Sequence, residues 1–156
     1  MMQLIAHRGL MEGPDKDLEN DPYQVDKAMN KGFDCEIDLW RVNKKFMLGH
    51  DEPQYPIDFS WIKKNQYRLW VHAKNIEALY YLSEFGDNYF WHENDKFALT
   101  SCGWIWTFPG NVLTGNSICV MPEQYMINDL SEVISLECYG ICSDYISTIK
   151  MILEDN

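Results

Sequence analysis

The chain has 156 residues and a formal net charge of −11, a length that predicts one domain spanning 1–156 and falls short of the roughly 250 residues usual for a full eight-stranded α/β barrel. With 46% hydrophobic and 14% aromatic residues it can build a core of its own. The acidity excludes non-specific nucleic-acid binding and adhesion to anionic membranes, both of which need a basic surface; an anionic ligand would need a locally cationic pocket.

The first element is short. Leu4-Ile5-Ala6 reads as a buried strand that stops at His7-Arg8-Gly9, where glycine permits a sharp turn or a close approach. Asp21-Pro22 starts a helix with Val25, Ala28 and Met29 on its inner side and Gly32 at its end. In the next strand, Phe33 to Trp40, Cys35, Ile37 and Leu39 alternate with Asp34, Glu36 and Asp38. Carboxylates gathered on one face of such a strand repel one another unless solvent or a cation separates them. Asn43-Lys44 predicts a tight turn into a returning strand that ends at Gly49-His50-Asp51.

A loop with one helical turn near Trp61-Ile62 follows, then a strand at Arg68 to Lys74 and a helix capped by Asn75 with Ile76, Leu79, Tyr80 and Leu82 as its apolar set. Tyr89 to His92 reads as a strand, and 97–107 as a hairpin or a strand with a folded-back lead-in. Ser117 to Met121 is another buried strand. Asp129 and Glu132 predict a capping box, and Ser143-Asp144 the cap of a closing helix after the strand Gly140-Ile141-Cys142. Trp40, Trp70, Trp91, Trp104 and Trp106 are expected in the core. The five cysteines contain no CxxC pair and lie in apolar surroundings, which predicts free buried thiols and a reducing, cytoplasmic setting. No signal peptide or transmembrane segment is expected.

Strands alternating with helices predict an α/β fold: a distorted TIM-like (β/α) barrel of about seven parallel strands, closed or incomplete. His7, His50, His72 and His92 all fall at the ends of apolar runs. In a parallel sheet they would gather at the carboxyl rim, where such folds place their ligands.

His7-Arg8-Gly9, Glu19-Asn20, Glu36-Ile37-Asp38 and Gly49-His50-Asp51, in this order, resemble the glycerophosphodiester phosphodiesterase family, part of the phosphatidylinositol-phospholipase-C-like superfamily. The resemblance covers residues 3–51, continues more weakly through Val71-His72-Ala73-Lys74 and returns at 140–144. It implies a metal-dependent hydrolase of a glycerophosphodiester or related phospholipid headgroup ester. His7 and His50 would be acid and base, Glu36 and Asp38 metal ligands, and Arg8 and Lys74 phosphate contacts, with Glu19 and Asn20 also at the substrate site. Mg²⁺ or Ca²⁺ is the implied cation. This chain has His72 where the family has a third metal-binding glutamate; imidazole as a ligand favours Mn²⁺, Zn²⁺ or Fe²⁺, and Glu123 or Asp144 is the other source of a third ligand. The family's segment after the second histidine is also absent, since Asp51 runs almost directly into Tyr55-Pro56. The alternative function is a catalytically weakened phosphate-binding or interaction module on the same barrel.

Overall fold

The computed structural model describes residues 2–126 and 129–155. The described residues form ten strands: β1 (Gln3–Ala6), β2 (Asp34–Val42), β3 (Lys45–Leu48), β4 (Tyr55–Ile57), β5 (Leu69–Ala73), β6 (Tyr89–Phe90), β7 (Phe97–Leu99), β8 (Ile105–Thr107), β9 (Ser117–Val120) and β10 (Gly140–Ser143). Four α-helices accompany them among the described residues: α1 (Pro22–Asn30), α2 (Phe59–Asn65), α3 (Ile76–Phe85) and α4 (Ile146–Glu154). None of the described helices is long and apolar enough to cross a membrane.

Seven strands are mutually parallel and stand side by side in the order β6-β5-β2-β1-β10-β9-β8. The last strand of the chain therefore lies against the first, so the sheet curls. The remaining three are antiparallel additions: β3 returns along the far half of β2, β4 pairs with β3, and β7 forms a hairpin with β8. The fold is thus a mixed α/β structure on a curled sheet. Closure of the expected barrel is not seen: among the described residues no ladder joins β6 to β8. Side chains cross that seam instead, with the Phe90 and Trp106 rings stacked at 4.6 Å.

Alternation along the strands sorts two cores. Ala6, Cys35, Ile37, Leu39, Val71 and Ile141 face outward to the helices. Their neighbours Ile5, Trp70, Phe90, Trp106, Ile118 and Cys142 fill the inside of the curl. A period of two residues puts Glu36 and Asp38 on that inner face, opposite Trp70 and His72 in the β2–β5 register. The inner apolar plug closes the amino end, and the charged residues take the carboxyl end.

Helices are confined to part of the chain, which is how so short a sequence accommodates seven parallel strands. No α-helix separates β6 from β8 or β8 from β9, and 3₁₀ turns at Pro122–Gln124 and Leu130–Ser135 replace a helix between β9 and β10. The capping box at Asp129 accordingly opens a 3₁₀ turn, with its carboxylate accepting the Ser131 N–H. Asp21 and Asn75 cap α1 and α3 as their sequence signals predict. At α4 the expected cap is absent: the helix begins after Tyr145 without a side-chain cap, because Asp144 is engaged elsewhere. Ile76 and Tyr80 of α3 and Cys102 are exposed, against expectation.

Candidate active site

His7, Arg8, Glu36, Asp38, His50, His72 and Lys74 line one cavity of about 400 Å³ at the carboxyl ends of the parallel strands. Two turns aim the histidines. After β1, Arg8 (φ 52°) and Gly9 (φ 76°) both take the left-handed conformation, and a Cβ on Gly9 would press against Val25 of α1. After β3, Gly49 has φ 152°, and a Cβ there would collide with the Glu52 carbonyl oxygen. Glycine is required at that position to turn His50 inward.

Asp38 is the hub. Its Oδ2 accepts the Asn20 Nδ2–H at 2.9 Å and lies 3.2 Å from His50 Nδ1 and from Arg8 Nε. Oδ1 lies 2.9 Å from His72 Nδ1 and 3.6 Å from Lys74 Nζ. Burial alone would raise its pKa, but the hydrogen bonds from His50 and His72 and the charge of Arg8 hold it well below the usual carboxylate range. Glu36 is the contrast. Its carboxylate accepts the Arg8 N–H at 3.2 Å, and burial together with the Asp38 charge raises its pKa. One carboxylate is thus firmly ionised, and its neighbour is strained by charge.

Both candidate acid–base imidazoles are anchored in the same way. His7 Nδ1 lies 2.8 Å from Asp144 Oδ1, and its Nε2 is 3.9 Å from Glu36 Oε2. Burial lowers the His7 pKa, but the Asp144 hydrogen bond and the Glu36 charge outweigh it, and the net shift is upward. His50 holds Nδ1 on Asp38 and has Arg8 Nη2 at 3.2 Å from its Nε2. A guanidinium only donates, so His50 Nε2 is the acceptor and Nδ1–H donates to Asp38. Asp144 is itself fixed: Glu123 accepts both its backbone N–H and the Ser143 hydroxyl. Among the described residues the group that could hold a metal consists of Glu36, Asp38 and His72, without Glu123 or Asp144, the other two third-ligand candidates; Asp144 positions His7.

Glu19 and Asn20 stand behind the cavity wall. Glu19 accepts Arg8 Nη1–H at 2.7 Å. Asn20, fully buried, exchanges two hydrogen bonds with Asp38, through its carboxamide oxygen to the Asp38 N–H and its nitrogen to Oδ2. Both position site residues and do not line the cavity.

Ligand atoms of Glu36, Asp38 and His72 lie within 4.8 Å of one another, all three buried. Two carboxylates and an imidazole are a chemically competent donor set, so this group can hold a metal ion. His72 is clamped between Asp38 and the His92 ring, stacked at 4.2 Å. Burial and the neighbouring His72 push the His92 pKa down to about 4, which keeps His92 neutral.

The opposite wall carries no sequence signal of its own. Trp91, expected in the core, is 39% exposed and lines the cavity with Phe108, Pro109 and Met121. Its signal was masked because β6 ends at Phe90, and strand alternation stops predicting orientation there. No protein-family model matches the chain, and no curated protein or solved structure matches it either.

Proposed function

We propose that the protein is a phosphodiester hydrolase acting through His7 and His50. The observation that carries this reading is the pair of imidazoles, each held at Nδ1 by a buried carboxylate and each lining the cavity that also presents Arg8 and Lys74. The resemblance over residues 3–51 supports the same chemistry. A phosphodiester seated against Arg8 and Lys74 has its charge balanced. His50 Nε2, released from Arg8 as the guanidinium turns to the phosphate, accepts a proton from the attacking water. As the new P–O bond forms and the old one breaks, His7 Nε2–H donates to the departing alkoxide. The raised pKa suits His7 to the acid role and leaves His50 as base.

Glu36, Asp38 and His72 would hold a divalent cation, which supplies Lewis-acid polarisation of a phosphoryl oxygen when bound. The mixed oxygen and nitrogen donors favour Mn²⁺ over Mg²⁺ or Ca²⁺.

The test is turnover of bis-p-nitrophenyl phosphate and glycerophosphocholine by the purified protein with Mg²⁺, Ca²⁺ or Mn²⁺. Activity with at least one ester, lost in both His7→Ala and His50→Ala, is expected. Absence of turnover under every cation overturns the reading. Phosphate binding without turnover would instead identify a phosphate-binding module.

A further inference from the structure

The cavity is divided along the sheet. Its charged wall comes from contiguous strands: His7 and Arg8 after β1, Glu36 and Asp38 on β2, His72 and Lys74 at the end of β5. The facing wall comes from the segments after β6, β8 and β9, which supply Trp91, Phe108, Pro109 and Met121. Beneath them Phe90 and Trp106 are almost fully buried, so those rings are packing. Trp91 is 39% exposed and Phe108, Pro109 and Met121 are half-buried, so apolar surface remains open to the cavity. Phe108 is fixed edge-on against His92 at 4.3 Å, and His92 is stacked on His72, so the apolar wall is rigidly joined to the charged one.

Resting on the phosphodiesterase reading above, we infer that the substrate carries a hydrocarbon arm beside its phosphate, and that Trp91, Phe108 and Met121 bind that arm. A polyol in this position would give up hydration and find few partners, since the polar groups of this wall are His92 and the rim residues Glu93 and Gln124. An alkyl or acyl-bearing arm gains burial there and needs no polar partner. The phosphate meanwhile stays against Arg8 and Lys74, a few ångströms across the same cavity. Trp91 and Phe108 are thus specificity-determining residues for an amphiphilic phosphodiester.

Binding of methyl-, propyl- and pentylphosphonate, measured by titration calorimetry with Mn²⁺ present, tests this without requiring turnover. Affinity is expected to rise about fourfold per methylene, or roughly 200-fold from methyl to pentyl. Trp91→Ala and Phe108→Ala should flatten that rise, while Trp91→Phe should keep most of it. Trp91 is exposed enough for its variants to fold, and circular dichroism checks each of them. Flat or absent affinity across the series overturns the inference, as does tighter binding of phosphocholine than of pentylphosphonate, which would mark the wall as a quaternary-ammonium site. Turnover of methyl p-nitrophenyl phosphate is measured in parallel. A chain-length slope without turnover leaves the wall standing and removes the hydrolase; turnover without a slope does the reverse.

Discussion

His7 and Asp144 meet across 137 positions of the chain, with the imidazole Nδ1 2.8 Å from the carboxylate Oδ1. The contact joins the end of the first strand to the end of the last, which are paired in the sheet from Gln3–Gly140 to Ala6–Ser143. It also directs Nε2 of His7 toward Glu36 and the cavity.

Asp144→Asn should therefore lower the His7 pKa. Where His7 acts as the acid, the alkaline limb of kcat/KM moves to lower pH, and turnover falls about 100-fold. Stability follows the same proton. Because the folded-state pKa is raised, the stabilisation is fully present below the unfolded value near 6.5 and is lost as pH rises through the folded value. The substitution should then cost about 1–3 kcal/mol at pH 6 and less at pH 9. Urea titrations at the two pH values check this; equal losses at both would show that Asp144 does not hold the His7 proton.

Asn20 is a structural prediction of a different kind. It is fully buried, has φ 62°, and makes two hydrogen bonds of 2.9 Å to Asp38. Asparagine tolerates the left-handed conformation better than most residues. Asn20→Ala removes both bonds and leaves the Asp38 N–H unpaired, at an expected cost of about 2–4 kcal/mol. Asn20→Gly relieves the backbone and should recover about 1 kcal/mol of that loss. A loss under about 1 kcal/mol for the alanine variant, measured by urea unfolding, would contradict this role.

What could be read from the sequence was local or periodic. Leu4-Ile5-Ala6, the alternation from Cys35 to Leu39, and the caps at Asp21 and Asn75 each carry their structural signal within a few residues. Asp144 also looked local, as a helix cap, but its partner lies at the other end of the chain and no spacing rule reveals it. Pro56 predicts loop at Tyr55–Ile57 because proline discourages a strand, yet the segment sits on an edge, where among the described residues it pairs with β3 alone. The Asp129 box promised a longer helix, but Ser131, Val133, Ile134 and Ser135 are weak helix formers, and the segment stays 3₁₀. Glu36, Asp38 and His72 came together because strand parity and parallel register are both readable. The orientation of Trp91 was not, because it lies past the last residue of its strand.

Glu36 is expected to show a conflict between stability and function. It is 3% exposed, and burial and the Asp38 charge both disfavour its ionised form. Glu36→Gln removes the charge and keeps an acceptor for the Arg8 N–H. The variant should be more stable at neutral pH by about 1 kcal/mol, or about 2–4 °C in Tm, and should lose Mn²⁺ binding. Differential scanning calorimetry with and without Mn²⁺ reads both effects. A variant that keeps the wild-type Mn²⁺-induced shift would exclude Glu36 as a ligand.

His72→Glu examines the same donor set from the other side. In the wild type the His72 Nδ1–H donates to Asp38 Oδ1 at 2.9 Å, and the imidazole stacks on the His92 ring at 4.2 Å with Phe90 beside it at 5.2 Å. Replacing it adds a third buried carboxylate beside Glu36 and Asp38 and removes the hydrogen bond to Asp38, so the metal-free variant should be destabilised by several degrees in Tm. Three carboxylates also make a harder oxygen site, which should bind Mg²⁺ more tightly. At a concentration 100 times Kd, the cation returns about 2.7 kcal/mol to the folded state. Thermal scans across a Mg²⁺ titration should therefore show a large upward shift in His72→Glu and a small one in the wild type, with Mn²⁺ favouring the wild type. An equal Mg²⁺ response in the two proteins would mean that position 72 does not contact the ion, and the metal site would then have to be sought without it.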